Sequence, residues 1–397
     1  MSMDKEFEFP LDLAEKCVKC GLCKSVCPTY PFKEEEGAFA RGRLALAEMV
    51  IKGELPLTKE VVVQWNECAM CRRCEWVCPN DVQYKEILTH ARELQHKQMG
   101  KDFISEAGLK SLEFMQSKVG RITLKIAGIL SKPLPKEIKL PLPTGGVKFF
   151  PKPYGKPFGI RGKTFKAEKE KKKLLFFTGC MIDVFYGKTG ESVIKVLNKL
   201  GYTVIVPKDI KCCGAPHLYH GNIEAFEKLK EHNLKEMEKY EYDAIVVACP
   251  TCGGALKEDY GKSWEVLSFT EIIANEDVKF KGDGESVTVH VPCHYYTAMK
   301  LNPNNFYQAL GKVEGAKTIK AEKAQSCCGF AGLFSIKNLE LSEEIQREKM
   351  LDFKKTGANY IVTECPGCVL QLRDGTKKFK NNQEVKHIAD YLAERIT

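Results

Sequence analysis

The chain has 397 residues, 44% of them hydrophobic, and a net charge of +9, which suits a soluble globular protein of two or three domains and excludes a disordered or membrane-spanning one. The Lys-rich run at 166–173 lacks interleaved aromatics, which argues against nucleic acid; the positive charge serves solubility or an acidic partner, including an anionic membrane face. Eighteen cysteines follow a start, MSMDKEFEFP, without a secretory pattern, so a disulfide framework is excluded and metal in a reducing cytoplasm is expected.

Residues 1–100 hold eight of these cysteines in two runs, CVKCGLCKSVCP at 17–28 and CAMCRRCEWVCP at 68–79. Both read CxxCxxCxxxCP. Three cysteines spaced in this way wrap three corners of a cubane, and the fourth, before proline, goes to the neighbouring cluster. The expected sets are crossed. Cys17, Cys20, Cys23 and Cys78 would hold one 4Fe–4S cluster, and Cys68, Cys71, Cys74 and Cys27 the other. A pair of structural zinc sites is the competing reading, but zinc has no use for the extra cysteines at these offsets. Between the runs, residues 40–53 predict a helix with Leu44, Ala47 and Ile51 on one face. Arg41 and Arg43 at its start read equally as solvated charges, partner contacts or tuners of a cluster.

Residues 101–173 contain no cysteine. They begin with an amphipathic segment (Phe103, Ile104, Leu109, Leu112, Met115, Val119, Ile122). Then come prolines at 133, 135, 141, 143, 151, 153 and 157, a density that predicts an extended interdomain linker on the surface.

The remainder is duplicated, at about 174–275 and 286–397. Cys180, Cys212, Cys213, Cys249 and Cys252 recur as Cys293, Cys327, Cys328, Cys365 and Cys368, each set as C…CCG…CxxC. The gaps are 31 and 33 residues before the pair and 35 and 36 after it. Alternating apolar runs and helical patterns predict parallel α/β units. Cys180, Cys249, Cys293 and Cys365 sit where predicted strands finish, the ends at which open parallel sheets bind ligands. Helices are predicted at 192–201 and 341–357, each stopped by glycine. Adjacent cysteines suit neighbouring irons of one cluster, with Gly214 and Gly329 relieving crowding beside it. His294, next to Cys293, and His217 and His220, after the first CCG, are candidates to protonate a leaving thiolate or to pack. Tyr295 and Tyr296 line the same pocket or pack, and Phe330 and Phe334 shield a cluster. No GxGxxG follows a strand, so a partner must supply any flavin or nicotinamide.

These motifs resemble those of the cysteine-rich CCG-domain iron–sulfur oxidoreductases. That family includes the catalytic subunit of heterodisulfide reductase and the iron–sulfur subunits of glycolate oxidase, lactate-utilisation complexes and anaerobic glycerol-3-phosphate dehydrogenase. The resemblance covers nearly everything outside 101–173. It implies a mostly helical, ferredoxin-like two-cluster domain, followed by two α/β CCG domains related by a pseudo-two-fold axis. It also implies that each intact five-cysteine set binds a noncubane 4Fe–4S cluster, and that two such clusters cleave a disulfide. The ten cysteines, with His294, are then the catalytic set. The expected function is electron transfer through two cubanes to a disulfide-reducing site. The alternative is a relay subunit of a flavoprotein dehydrogenase acting on glycolate, lactate or glycerol 3-phosphate and delivering electrons to a quinone or other carrier. Expected partners are a flavoprotein or a membrane cytochrome or quinone-linked subunit, and a small disulfide or thiol. The expected location is the cytoplasm or, peripherally, the inner membrane face.

Overall fold

The computed structural model describes residues 9–130, 135, 137–152 and 159–396. Pro133, Pro153 and Pro157 lie outside them. Each N-terminal cysteine run turns through a left-handed residue, Gly21 (φ +82°) or Arg72 (φ +59°), into a short helix, Leu22–Val26 or Arg73–Trp76. The helix expected at 40–53 forms at Ala40–Ile51 and buries Leu44 and Ala47. Helices Lys59–Asn66, capped by Thr58, and Tyr84–Met99 complete the region. Trp65, Tyr84, Leu88 and Ala91 pack in one core with Leu175 and Phe177 of the first repeat.

The middle segment is not an extended linker. It folds as two helices, Phe103–Gln116 and Lys118–Leu130, then an antiparallel hairpin of β1 (Glu137–Pro141) and β2 (Val147–Pro151). Pro141 and Pro151 occupy the strand ends, where a missing N–H costs little. The hairpin docks on helix Pro366–Lys378 of the second repeat. The Phe149 amide donates to Asp374 (2.9 Å) and Lys148 Nζ to Gln371 (2.5 Å).

The first repeat's sheet is built from β3 (Lys163–Phe165), β4 (Lys172–Phe177), β5 (Tyr202–Val206), β6 (Ala244–Val247) and β7 (Val266–Ser268), in the order β3-β5-β4-β6-β7. Only β3 is antiparallel. A short parallel pair, β8 (Phe280–Lys281) with β10 (Val313–Glu314), flanks the second sheet. That sheet comprises β9 (Ser286–Val289), β11 (Lys317–Thr318), β12 (Tyr360–Thr363) and β13 (Glu384–His387), ordered β11-β9-β12-β13, all parallel. It repeats the order β5-β4-β6-β7. The helices expected at 192–201 and 341–357 span Gly187–Lys199 and Leu339–Thr356. The two sheets meet at their carboxyl ends. Glu364 accepts from Ser268 Oγ and from the Phe269 and Thr270 amides, while His387 Nε2 donates to the Ala248 and Glu364 carbonyls. These contacts lie directly behind Cys249 and Cys365.

Candidate metal centres

The N-terminal cysteines gather in the crossed arrangement. Cys27, Cys68, Cys71 and Cys74 border one cavity; Cys17, Cys20, Cys23 and Cys78 border its neighbour, with Cys74 between them. Burial pushes the Cys71 and Cys74 thiols well above their ordinary range, and neighbouring sulfurs add to the effect. Arg43 is 1% exposed and donates to the Gln64 carbonyl (2.6 Å) and Thr29 Oγ1 (3.2 Å). Burial opposes its charge, but Tyr84, Cys68 and Cys27 hold it protonated. It is therefore a fixed cation beside the second set. Arg41 pairs with Glu36 near the surface and reaches the Lys19 carbonyl.

The C-terminal cysteines of both repeats converge on one cavity. Nine of the ten line it. Cys212, also buried, stands behind them, its thiol hydrogen-bonded to those of Cys180 and Cys213 and its amide donating to Gln116 Oε1 (2.8 Å). Cys328 and Cys368 approach to 3.4 Å, and the Gly329 amide donates to Cys327 at the same distance. Cys249 and Cys365 begin helices Pro250–Glu258 and Pro366–Lys378 and meet across the repeats. Cys252, then Cys365, and then local backbone amides pull the Cys249 thiol down. Gly214 (φ +84°) and Gly329 (φ +86°) make the left-handed turns after the paired cysteines. A Cβ there would lie 2.5 Å from the Phe226 ring or 2.6 Å from the Ser342 carbonyl, so packing from behind, rather than the metal side, demands glycine.

All eighteen cysteines are free thiols. Buried thiols crowded this closely repel as thiolates unless cations neutralise them, and their softness suits iron or zinc. The crossed sets and the paired sulfurs thus fit iron–sulfur clusters.

His294 lines the cavity with both nitrogens engaged. Nε2 lies 2.8 Å from the Met70 carbonyl and Nδ1 2.8 Å from Thr251 Oγ1. A carbonyl only accepts, so Nε2 carries the proton and Nδ1 accepts from Thr251. Burial lowers its pKa, and the neutral ring clamps the N-terminal region to both repeats. His220 also lines the cavity, with Nδ1 at the Pro216 carbonyl and its pKa pushed down to about 3 by burial. His217 turns to Glu113 (3.1 Å), on a separate hollow. Tyr295 packs on Phe306 in the core, away from the cysteines. Tyr296 donates to the Gln325 carbonyl and stands edge-on to Trp76. Phe330 packs against Gly367 beside Cys365 and Cys368, and Phe334 beside Cys71 and Cys327.

The sequence reading missed several neighbours. Cys71 abuts Cys293 and Cys327 of the second repeat. Arg72 pairs with Glu75 and Glu258, and Lys85 with Asp259 (2.5 Å), which ties the N-terminal region to the first repeat. His290 approaches Cys328 and Cys368, their ligand atoms lying within 4.8 Å of one another. Its signal was available, since VTVHVPC laid over LLFFTGC puts His290 opposite Phe177.

Residues 13–82 match a 4Fe-4S dicluster domain, and 174–257 and 287–373 each match a cysteine-rich domain. A probable glycolate oxidase iron-sulfur subunit of Bacillus subtilis is 29% identical over 99% of this chain and 96% of its own length. The glycolate oxidase iron-sulfur subunit of Escherichia coli is 25% identical over 90% and 89%. One subunit of the fumarate reductase (CoM/CoB) of Methanothermobacter marburgensis is 33% identical over 51% of this chain and 42% of its own. With the dicluster motifs and both five-cysteine sets in place, the chain belongs to the cysteine-rich (CCG) domain family of iron–sulfur oxidoreductases and is an electron-transfer protein.

Proposed function

We propose that this protein passes electrons from two N-terminal cubanes to paired sites in the cysteine-rich repeats, and that these sites reduce a disulfide held between them. The observation that carries the reading is the unbroken set of ten cysteines converging on one cavity from two repeats of the same strand order. Cys17, Cys20, Cys23 and Cys78, and Cys68, Cys71, Cys74 and Cys27, would hold the cubanes. Cys180, Cys212, Cys213, Cys249 and Cys252, and Cys293, Cys327, Cys328, Cys365 and Cys368, would hold two noncubane clusters. When bound, these clusters would supply one electron each, so that a disulfide, two electrons and two protons give two thiols. Phe330 keeps water from the Cys365–Cys368 side, and the contact of Cys71 with Cys293 shortens the route from the second cubane. His294 acts as a positioning residue, since both nitrogens are committed. Anaerobic assay should find about sixteen irons per chain with equal sulfide. EPR of the oxidised protein should show a new signal when a physiological disulfide or its thiols are added. A count near eight, or no signal with any physiological pair, overturns the reading.

A second reading, a relay subunit for a flavoprotein dehydrogenase of the glycolate, lactate or glycerol-3-phosphate type, is favoured by the full-length similarity to glycolate oxidase iron-sulfur subunits. The stripe Val119, Ile122, Ile126, Ile129 and Leu130, exposed along helix Lys118–Leu130, offers such a subunit a docking face for its donor or a membrane partner. No helix among the described residues is long and apolar enough to cross a membrane. Reduction of the clusters by a co-purifying flavoprotein, without any disulfide-dependent signal, would select this reading.

A further inference from the structure

The two repeats match in their cysteines but not in the residue three before the first cysteine of each. In the first repeat this is Phe177, packed in an apolar cluster with Cys180, Cys213 and Cys252. In the second it is His290, 1% exposed and grouped with Cys328 and Cys368, the counterparts of Cys213 and Cys252. The His290 ring meets Phe353 edge-on, which limits its rotation. Neither ring nitrogen makes a hydrogen bond of ordinary geometry among the described residues. A buried imidazole with both nitrogens idle is costly, and buried polar groups are almost always partnered. The polar atoms facing this ring include the Cys328 sulfur and the Ala324 carbonyl, which already accepts from Val291. A thiolate bonded to iron is a stronger acceptor than the free thiol, so loading the site gives the ring N–H a partner.

We propose that neutral His290 donates a ring N–H to the Cys328 thiolate when the second repeat holds its cluster, so that the two repeats carry unequal centres, the C-terminal one being easier to reduce. This rests on the presence of clusters in both repeats, as proposed above. An N–H···S hydrogen bond withdraws negative charge from the sulfur and favours the reduced, more negative state; a phenyl ring at the same place gives no such help. Cys71 packs beside Cys327 of this repeat, while Cys68 and Cys74 pack with the cysteines of the first, so the N-terminal region lies against both centres. His290 is a positioning residue acting through Cys328.

The test is a potentiometric EPR titration of the full-length, cluster-loaded chain, with iron counted in each sample. His290→Phe should keep the full iron content, lower the midpoint potential of one cysteine-rich centre and leave the other unmoved. His290→Asn retains an N–H donor and should restore part of the shift, which a purely structural role would not do. The proposal is overturned if the His290→Phe titration superimposes on wild type at full iron content. It is also overturned if Asn behaves as Phe, or if both variants lose the cluster, since His290 would then be a ligand or a core residue. A wild-type iron count near eight would instead remove the clusters themselves and both readings together.

Discussion

The two cysteine-rich repeats share a strand order, five cysteines and a left-handed glycine after the paired cysteines, yet their surroundings differ on every side. The N-terminal region is joined to the first repeat by buried charges (Arg72 with Glu258, Lys85 with Asp259) and by a common apolar core. Its contacts with the second repeat include neutral hydrogen bonds, His294 with the Met70 carbonyl, Thr297 with the Cys71 carbonyl and Asn338 with the Asn66 carbonyl, and no carboxylate–cation pair among the described residues. Over the first repeat lies helix Phe103–Gln116, whose Gln116 receives the Cys212 amide. Over the second lies the β1–β2 hairpin, whose Lys148 reaches Gln371. The donor set is duplicated, and the neighbours that surround it are not.

The largest effect should come from the donors themselves. Cys213→Ser and Cys328→Ser should each remove about four irons per chain and leave the other repeat loaded. Loss of about eight in either variant would show that the repeats load as one unit and would break the comparison. Next is the charged seam. Arg72→Leu leaves the Glu75 and Glu258 carboxylates without their guanidinium and should cost about 3 kcal/mol in anaerobic urea unfolding. Asn338→Ala, at the neutral seam, should cost about 1 kcal/mol. Equal losses would erase the distinction between the seams.

The hairpin over the second repeat should carry its own pH dependence. Burial holds Lys148 down to about 8, against an ordinary 10.5. The closed hairpin therefore sheds this proton near pH 8, and the opened one only near 10.5. Between those values the opened state binds more protons, so closure should strengthen as pH rises, by about 3 kcal/mol in total. Hydrogen exchange of the hairpin amides, corrected for intrinsic rates, should show this trend in the wild type and lose it in Lys148→Met. The smallest change should follow Ile126→Ser on the exposed stripe, with unfolding shifted by less than about 0.5 kcal/mol. Any loss of flavoprotein reduction in that variant would mark the stripe as the donor's face.

Much of the site was legible in the sequence because its signals are local. The CxxCxxCxxxCP runs place three thiols within one turn of chain, and the structure brings the fourth of each run to the other set. Helix Leu339–Thr356 follows from apolar spacing and a closing Gly357. The hairpin was not legible, since Pro141 and Pro151 read as linker residues until pairing puts them at strand ends. The sequence left His294 between a proton donor and a packing residue, because adjacency to Cys293 says nothing of the Met70 carbonyl, 224 residues away.

The sequence alone determined the number and kind of sulfur donors, their grouping by repeat and the strand ends that carry them, because spacing and periodicity act over a few residues. Only the tertiary structure decided which sets face one another, that Cys71 meets Cys293, and that His290 lies against Cys328 where Phe177 is its silent counterpart. Those contacts join residues far apart in the chain, and they exist only because the two sheets pack with their carboxyl ends together around one buried cavity.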